Sequence, residues 1–209
     1  MQQLTSSFKN MILVLAGISL FAAATLASVY TFTKEPIAIA KANKLQNAIK
    51  EVLPADFARI GETEKIVIST GDSLNVYKAY NADNNFIGAA VESVSHKGFA
   101  GDITIMVGFD AEGKIVNYSV LEQSETPGLG TKMTEWFKTA KGRQDIRGKN
   151  PASDKLQVSK DGGEVDAITA ATISSRAFLD AVINAYNAYA ANSGAPEIDG
   201  NSGATALEW

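Results

Sequence analysis

The sequence contains no cysteine. That excludes disulfides, thiol nucleophiles, thiolate zinc sites and cysteine-held iron–sulfur clusters. It has a single histidine, His96, too few imidazoles for a zinc or copper centre, so no metal site is expected. A basic block is missing as well: 19 Lys and Arg are scattered among 23 Asp and Glu, for a net charge of −4. Binding to nucleic acid requires clustered cations to neutralise phosphates, so it is not expected here. Any redox chemistry must therefore be borrowed from an organic cofactor.

What is present is enough for one membrane segment and one domain: 209 residues, 45% of them hydrophobic. From Met11 to Phe32 no residue is charged, and Lys9 and Lys34 bracket the run. A helix of that length spans about 33 Å, close to the hydrocarbon core of a bilayer. Small residues at Ala22 to Ala24 and Ala27 would suit a signal peptidase. The run is longer than a signal core, however, and favours a retained membrane helix. A short tail before a long domain puts that domain outside the cytoplasm, although the lysines flanking the helix on both sides fix the orientation weakly.

The chain divides into a tail at 1–10, a membrane helix at 11–33, a helical stalk at 34–60, a folded domain at 61–192 and a polar C-terminal tail at 193–209. Pro36 suits the first turn of the stalk and Pro54 its stop. Alternating segments at 65–69, 74–80 and 86–94 read as strands, with "NADNN" as a hairpin loop. A second hairpin joins "DITIMVGF" to "KIVNYSVLEQ" across Asp110 to Gly113. Two helices are expected on this sheet, one from about Thr131 to Gly142 and one from about Ser174 to Ala191, which makes the domain α+β. In the second, Ala177, Phe178, Ala181, Val182, Ala185, Tyr186 and Tyr189 form a core face. His96 reads as a surface or turn residue.

"DAITAATISSR", residues 166–176, crowds Thr169, Thr172, Ser174 and Ser175 around the start of that helix, just after a short strand expected around Glu164 to Ile168. Capping by Thr172, Ser174 or Ser175 accounts for one hydroxyl, not four. Small Ala170 and Ala171 let a ligand approach the backbone, and the free amides of a helix start attract anions, so a phosphate suits the place.

"DAITAAT" resembles the flavinylation pattern of the Rnf and Nqr respiratory complexes: Asp, two variable residues, Ser or Thr, a small residue, Ala and Thr. "SETPGLGTKM", Ser124 to Met133, resembles the second signature of that family, and the chain as a whole resembles the G subunit of the Rnf complex. The resemblance implies an FMN-binding domain with FMN joined covalently to Thr172 by a phosphoester, so that the chain is a phosphoprotein as well as a flavoprotein. A separate flavin transferase would install the group from FAD with Mg2+, and Asp166 and Thr169 would serve in part as its recognition features. Thr126, Gly128, Gly130 and Thr131 can offer donors to the flavin, Leu129 can lie against the ring and Lys132 can offset the phosphate charge. Glu125, Asp166, Thr169, Ala170, Ala171 and Ser174 complete the expected cofactor-binding set. Glu122, Glu125 and Glu135 read first as solvated surface carboxylates and only second as groups that affect the flavin potential.

By the same resemblance the chain would be an electron relay in a membrane complex that couples electron transfer between ferredoxin and NAD+ to movement of Na+ or H+. It would be a translocase component of the inner membrane, with the other Rnf subunits and the lipid bilayer as partners, the FMN domain outside the cytoplasm and no turnover of its own. The alternatives are the C subunit of the Na+-translocating NADH:quinone reductase, whose chain is usually longer, and a non-redox assembly module of the same fold. Two departures stand out. Ala170 replaces a glycine usual in the family, and its methyl is harmless at negative φ but crowds a flavin at positive φ. "DGNSGAT", 199–205, also fits the pattern with Thr205 as acceptor, although no helix is expected behind it.

Overall fold

The computed structural model describes residues 7–194, 198 and 202–205. The chain forms two compact units, residues 1–44 and 45–209. Helix α1 runs from Phe8 to Val52. Its first part is long and apolar enough to cross a membrane, and every residue from Ser7 to Lys44 is exposed. Its hydroxyls are satisfied within the helix, since Thr25, Ser28, Thr31 and Thr33 each donate to the carbonyl four residues back. That arrangement lets polar side chains sit in hydrocarbon. Pro36 lies inside α1 and does not open a separate helix. Proline loses one intrahelical hydrogen bond there without stopping the helix.

In the second unit, five strands form an antiparallel meander in the order β1 to β5. They are β1 Arg59–Val67, β2 Ser73–Tyr80, β3 Phe86–Ser95, β4 Ile103–Asp110 and β5 Ile115–Glu122. The expected hairpin loops are held by side-chain turns. Asn81 Oδ1 accepts from the amides of Asp83 and Asn85, and Asp110 Oδ1 from those of Glu112 and Lys114.

Each sheet face has its own core. The end of α1 does more than connect: Ala48, Ile49 and Val52, with Leu53, are buried against Ala79, Ala90, Met106 and Leu121. The larger core lies under a long C-terminal helix, Thr172–Ser193, labelled α3 because a short helix, α2, Met133–Trp136, precedes it. Phe178 stacks on Phe137 with centroids 4.5 Å apart and meets Tyr118 edge-on at 4.8 Å. Tyr186 and Tyr189 pack against Phe109, and the Tyr189 hydroxyl donates to the Asp110 carbonyl, so both tyrosines are core residues. Polar groups tie the helix to β3, as Ser93 donates to the Ala181 carbonyl at 2.7 Å and Ser95 to Asp180 at 2.7 Å.

Two elements differ from expectation. In place of a helix from Thr131 to Gly142 there is a 3-10 turn, Gly130–Lys132, followed by α2 alone. Tertiary bonds end it, because Arg147 donates to the Lys138 carbonyl, the Ile146 amide to the Phe137 carbonyl, and Trp136 Nε1 to the Asp166 carbonyl. The strand expected at 164–168 is only a parallel bridge between Val158 and Val165.

Candidate functional site

An open cleft of about 350 Å³ lies where three segments meet. One wall is the start of α3, residues 170–174. A second is the turn containing Glu125, Thr126, Leu129 and Gly130, and Phe99 from the β3–β4 loop forms the third. Phe99 and Leu129 are 47% and 38% exposed, two large apolar groups left facing the open space.

The four crowded hydroxyls have four separate positions, and none caps the helix. Ala171 is the N-cap residue and gives no side-chain bond. Helix geometry leaves the first amides of α3 without partners, so those of Thr172, Ile173 and Ser174 point their partial positive charge at the cleft end. Ser175 is engaged internally, accepting from the Ile168 amide and donating to the Ala171 carbonyl. Ser174 is buried and donates to Glu125 Oε2 at 2.5 Å. Thr169 is exposed and does not line the cleft. Thr172 is half-buried at the cleft, its Oγ1 3.5 Å from Lys160 Nζ.

Glu125 is the largest departure from the solvated carboxylate expected, being only 4% exposed. Besides the Ser174 hydroxyl it accepts from the Ala100 amide at 3.1 Å, joining all three walls. Close approach requires glycine beside it. A Cβ on Gly130 would stand 2.7 Å from Glu125 Cβ and from Ser174 Oγ, and one on Gly98 would stand 2.8 Å from Glu125 Oε1.

The turn itself uses up donors that the sequence left free. The Gly128 amide donates to Thr131 Oγ1, and the amides of Leu129 and Thr131 donate to the Thr126 carbonyl. Gly128, at φ 75°, and Thr131 thus shape the wall without lining the cleft, and Lys132 is exposed outside it. Asp166 also lies outside. Its carboxylate accepts from the Arg143 amide at 2.9 Å, and that bond, with the Arg143 guanidinium, holds it below the usual carboxylate range. Ala170 lines the cleft at φ 62°, a left-handed conformation uncommon for a residue other than glycine.

The sequence does not single out Phe99, Ile173 or Lys160. The only local signal for Phe99 is a bulky aromatic between glycines in a polar loop; Lys160 gives none. His96 is a surface residue, bonded through Nδ1 to Asp102 at 2.9 Å and through Nε2 to Asp72 at 3.2 Å. Those carboxylates, Asp102 foremost, raise its pKa.

Residues 98–187, which include every wall of this cleft, match the FMN-binding domain family. Over 190 residues the chain is 31% identical to the G subunit of an ion-translocating oxidoreductase complex from Aliivibrio fischeri, covering 85% of this chain and 88% of that protein. It is 34% identical over 192 residues to the corresponding G subunit of Methanosarcina acetivorans, covering 88% and 96%. The chain belongs to the G-subunit family of ion-translocating oxidoreductase complexes. A third member, from Shewanella amazonensis, is 32% identical over 181 residues, covering 81% and 82%. The likeness thus runs well beyond the FMN-binding domain, into the apolar N-terminal helix.

Proposed function

We propose that this chain carries FMN on Thr172 through a phosphoester and relays electrons between neighbouring redox subunits of a ferredoxin:NAD+ oxidoreductase complex of the Rnf type. The observation that carries this reading is the Thr172 hydroxyl, half-buried at the uncapped first turn of α3 and opening into the cleft. The other residues fit the group. Uncapped helix amides suit a phosphate, Phe99 and Leu129 suit the faces of a flat ring, and the volume lies within the range of small-ligand clefts.

In the loading step, the Thr172 oxygen bonds to the phosphorus on the FMN side of FAD. The bond from that phosphorus to the bridging oxygen breaks, AMP departs with that oxygen, and the hydroxyl proton passes to the transferase or to water. No electrons are exchanged, and Thr172 needs no base of its own because the transferase supplies the chemistry. When bound, the isoalloxazine ring takes up and gives out electrons singly. The chain's own part is to hold the ring in place. Leu129 and Phe99 would flank it, Gly130 lets the turn close against Glu125 and Ser174, and the buried Glu125–Ser174 pair fixes the walls relative to one another.

A covalent link prevents loss of the cofactor on the outer face of the membrane, where we place the domain with α1 as the anchor. In the assembled complex the relay would contribute to coupling electron transfer to Na+ or H+ movement. The same loading chemistry would serve the C subunit of the quinone reductase, but coverage of 88% and 96% of the G-subunit relatives supports the first reading. The full-length chain co-expressed with a flavin transferase should gain one FMN-phosphoryl group in its intact mass and fluoresce as a denatured band. A bare polypeptide mass under those conditions overturns the proposal.

A further inference from the structure

We infer that Lys160 binds the phosphate of the cofactor attached at Thr172, its ammonium donating to a non-bridging phosphate oxygen. The inference rests on the Thr172 reading above and adds the residue that receives the negative charge.

Lys160 Nζ stands 3.5 Å from Thr172 Oγ1, just beyond ordinary N–H···O length. The ammonium donates to the hydroxyl only at the long limit of a hydrogen bond. An esterified hydroxyl carries further oxygens outward by one bond and brings them within reach. The lysine's backbone is fixed on both sides of Thr172. Its turn, Ser159–Asp161, is bonded to the strand side through the Ser159 amide to the Val165 carbonyl at 2.8 Å and the Ser159 hydroxyl to Asp166 at 3.3 Å. On the helix side, Asp161 takes two bonds of 2.7 Å from Arg176, one helical turn beyond Thr172. That pairing foremost, with a lesser contribution from the nearby Lys160 ammonium, holds Asp161 below the usual carboxylate range.

Among the described residues no carboxylate forms a direct ion pair with Lys160; Asp161 acts on it only through space, so the ammonium keeps its donors for the place where a phosphate would add charge. Lys132, the cation expected from sequence, is outside the cleft. The wall formed by Glu125 is unsuited to an anion. Buried Glu125 stands there with a serine and an amide as donors and, among the described residues, no cation. The carboxylate thus disfavours a phosphate on its own wall, and Phe99 and Leu129 would suit the uncharged ring.

The test uses the full-length chain in detergent, made with and without the transferase, as wild type and as Lys160→Gln, Lys160→Arg and Lys132→Gln. Intact mass reads occupancy, and thermal melting reads the gain in Tm on loading, which a purely structural role for Lys160 would not alter. Loading should raise the wild-type Tm by about 3 °C, on the order expected for one charge-assisted bond in a domain of this size. Lys160→Gln should lose at least half of that gain, while Lys160→Arg and Lys132→Gln keep it. High salt should shrink the difference. An undiminished gain in Lys160→Gln overturns the inference, as does equal impairment in Lys160→Arg. A bare wild-type mass is a different failure, which removes the Thr172 reading and this inference with it.

Discussion

Residues 166–172 and 199–205 spell the same pattern, and where the structure describes both they share one backbone feature. The fifth position is left-handed in each copy, with Ala170 at φ 62° and Gly203 at φ 76°. The surroundings differ. The first copy runs into the 22-residue α3, and its final threonine is half-buried at the cleft. In the second, Ser202 is buried and donates to Asp180 at 3.2 Å, while Thr205 is exposed and belongs to no helix or strand. Asp199 lies outside the described residues. Local sequence is thus enough to set the turn, whereas the uncapped helix, the lysine and the apolar walls come from elsewhere in the chain.

The most severe way to break that comparison is Thr172→Ala. It should abolish covalent flavin altogether, as read by intact mass and by fluorescence of the denatured band. A bright band that persists until Thr205 is also changed would mean that pattern outweighs surroundings. Next in size is Gly130→Ala, which leaves both copies of the pattern intact and damages only the surroundings of the first. The added Cβ would meet Glu125 and Ser174 in a closed space, at 2.7 Å from each. Overpacking of that kind costs roughly 1 to 3 kcal/mol. Chemical denaturation should show the loss, and loading at Thr172 should fall with it.

Legibility in the sequence follows the range of the forces involved. The meander is readable because period-2 alternation and Asx-type turns at Asn81 and Asp110 are local signals. Helix α3 and its core face are readable for the same reason. The segment after Thr131 is not. Its residues favour helix, but carbonyls at Phe137 and Lys138 are taken by Ile146 and Arg147, and Phe137 turns in to stack on Phe178. Glu125 has the look of a surface carboxylate until a serine 49 residues away is brought to 2.5 Å. Thr172 stands out through the resemblance of its stretch to a family pattern. Lys160 has no sequence relation to Thr172 at all, and tertiary bonds put them together, the Arg176–Asp161 clamp on one side and the Ser159 bonds to Val165 and Asp166 on the other.

A smaller effect sharpens the comparison from the backbone. Ala170 holds a conformation that costs an L-residue about 1 to 2 kcal/mol, whereas the second copy already has glycine there. Ala170→Gly relieves that strain and gives back part of the gain through a more flexible unfolded chain. The net expectation is a stabilisation of about 0.5 to 1 kcal/mol, seen as a higher denaturation midpoint with an unchanged slope. Removing the methyl from the cleft wall should also speed loading, and a slower rate would mean that the methyl is a contact rather than an obstruction.

The smallest effect expected is that of Thr205→Ala, and its smallness is what makes it informative. Thr205 is exposed, so losing its methyl and hydroxyl should change stability by no more than about 0.5 kcal/mol. With Thr172 intact, the mass should still show one FMN-phosphoryl group, and the loading rate should match wild type. If occupancy instead falls from two groups to one, the transferase reads an exposed seven-residue pattern and needs neither helix nor cleft. The cleft would then matter for holding the ring after attachment rather than for selecting the acceptor. Loading at Thr172 alone, in wild type and variant alike, would place the selection in the start of α3 and its neighbours.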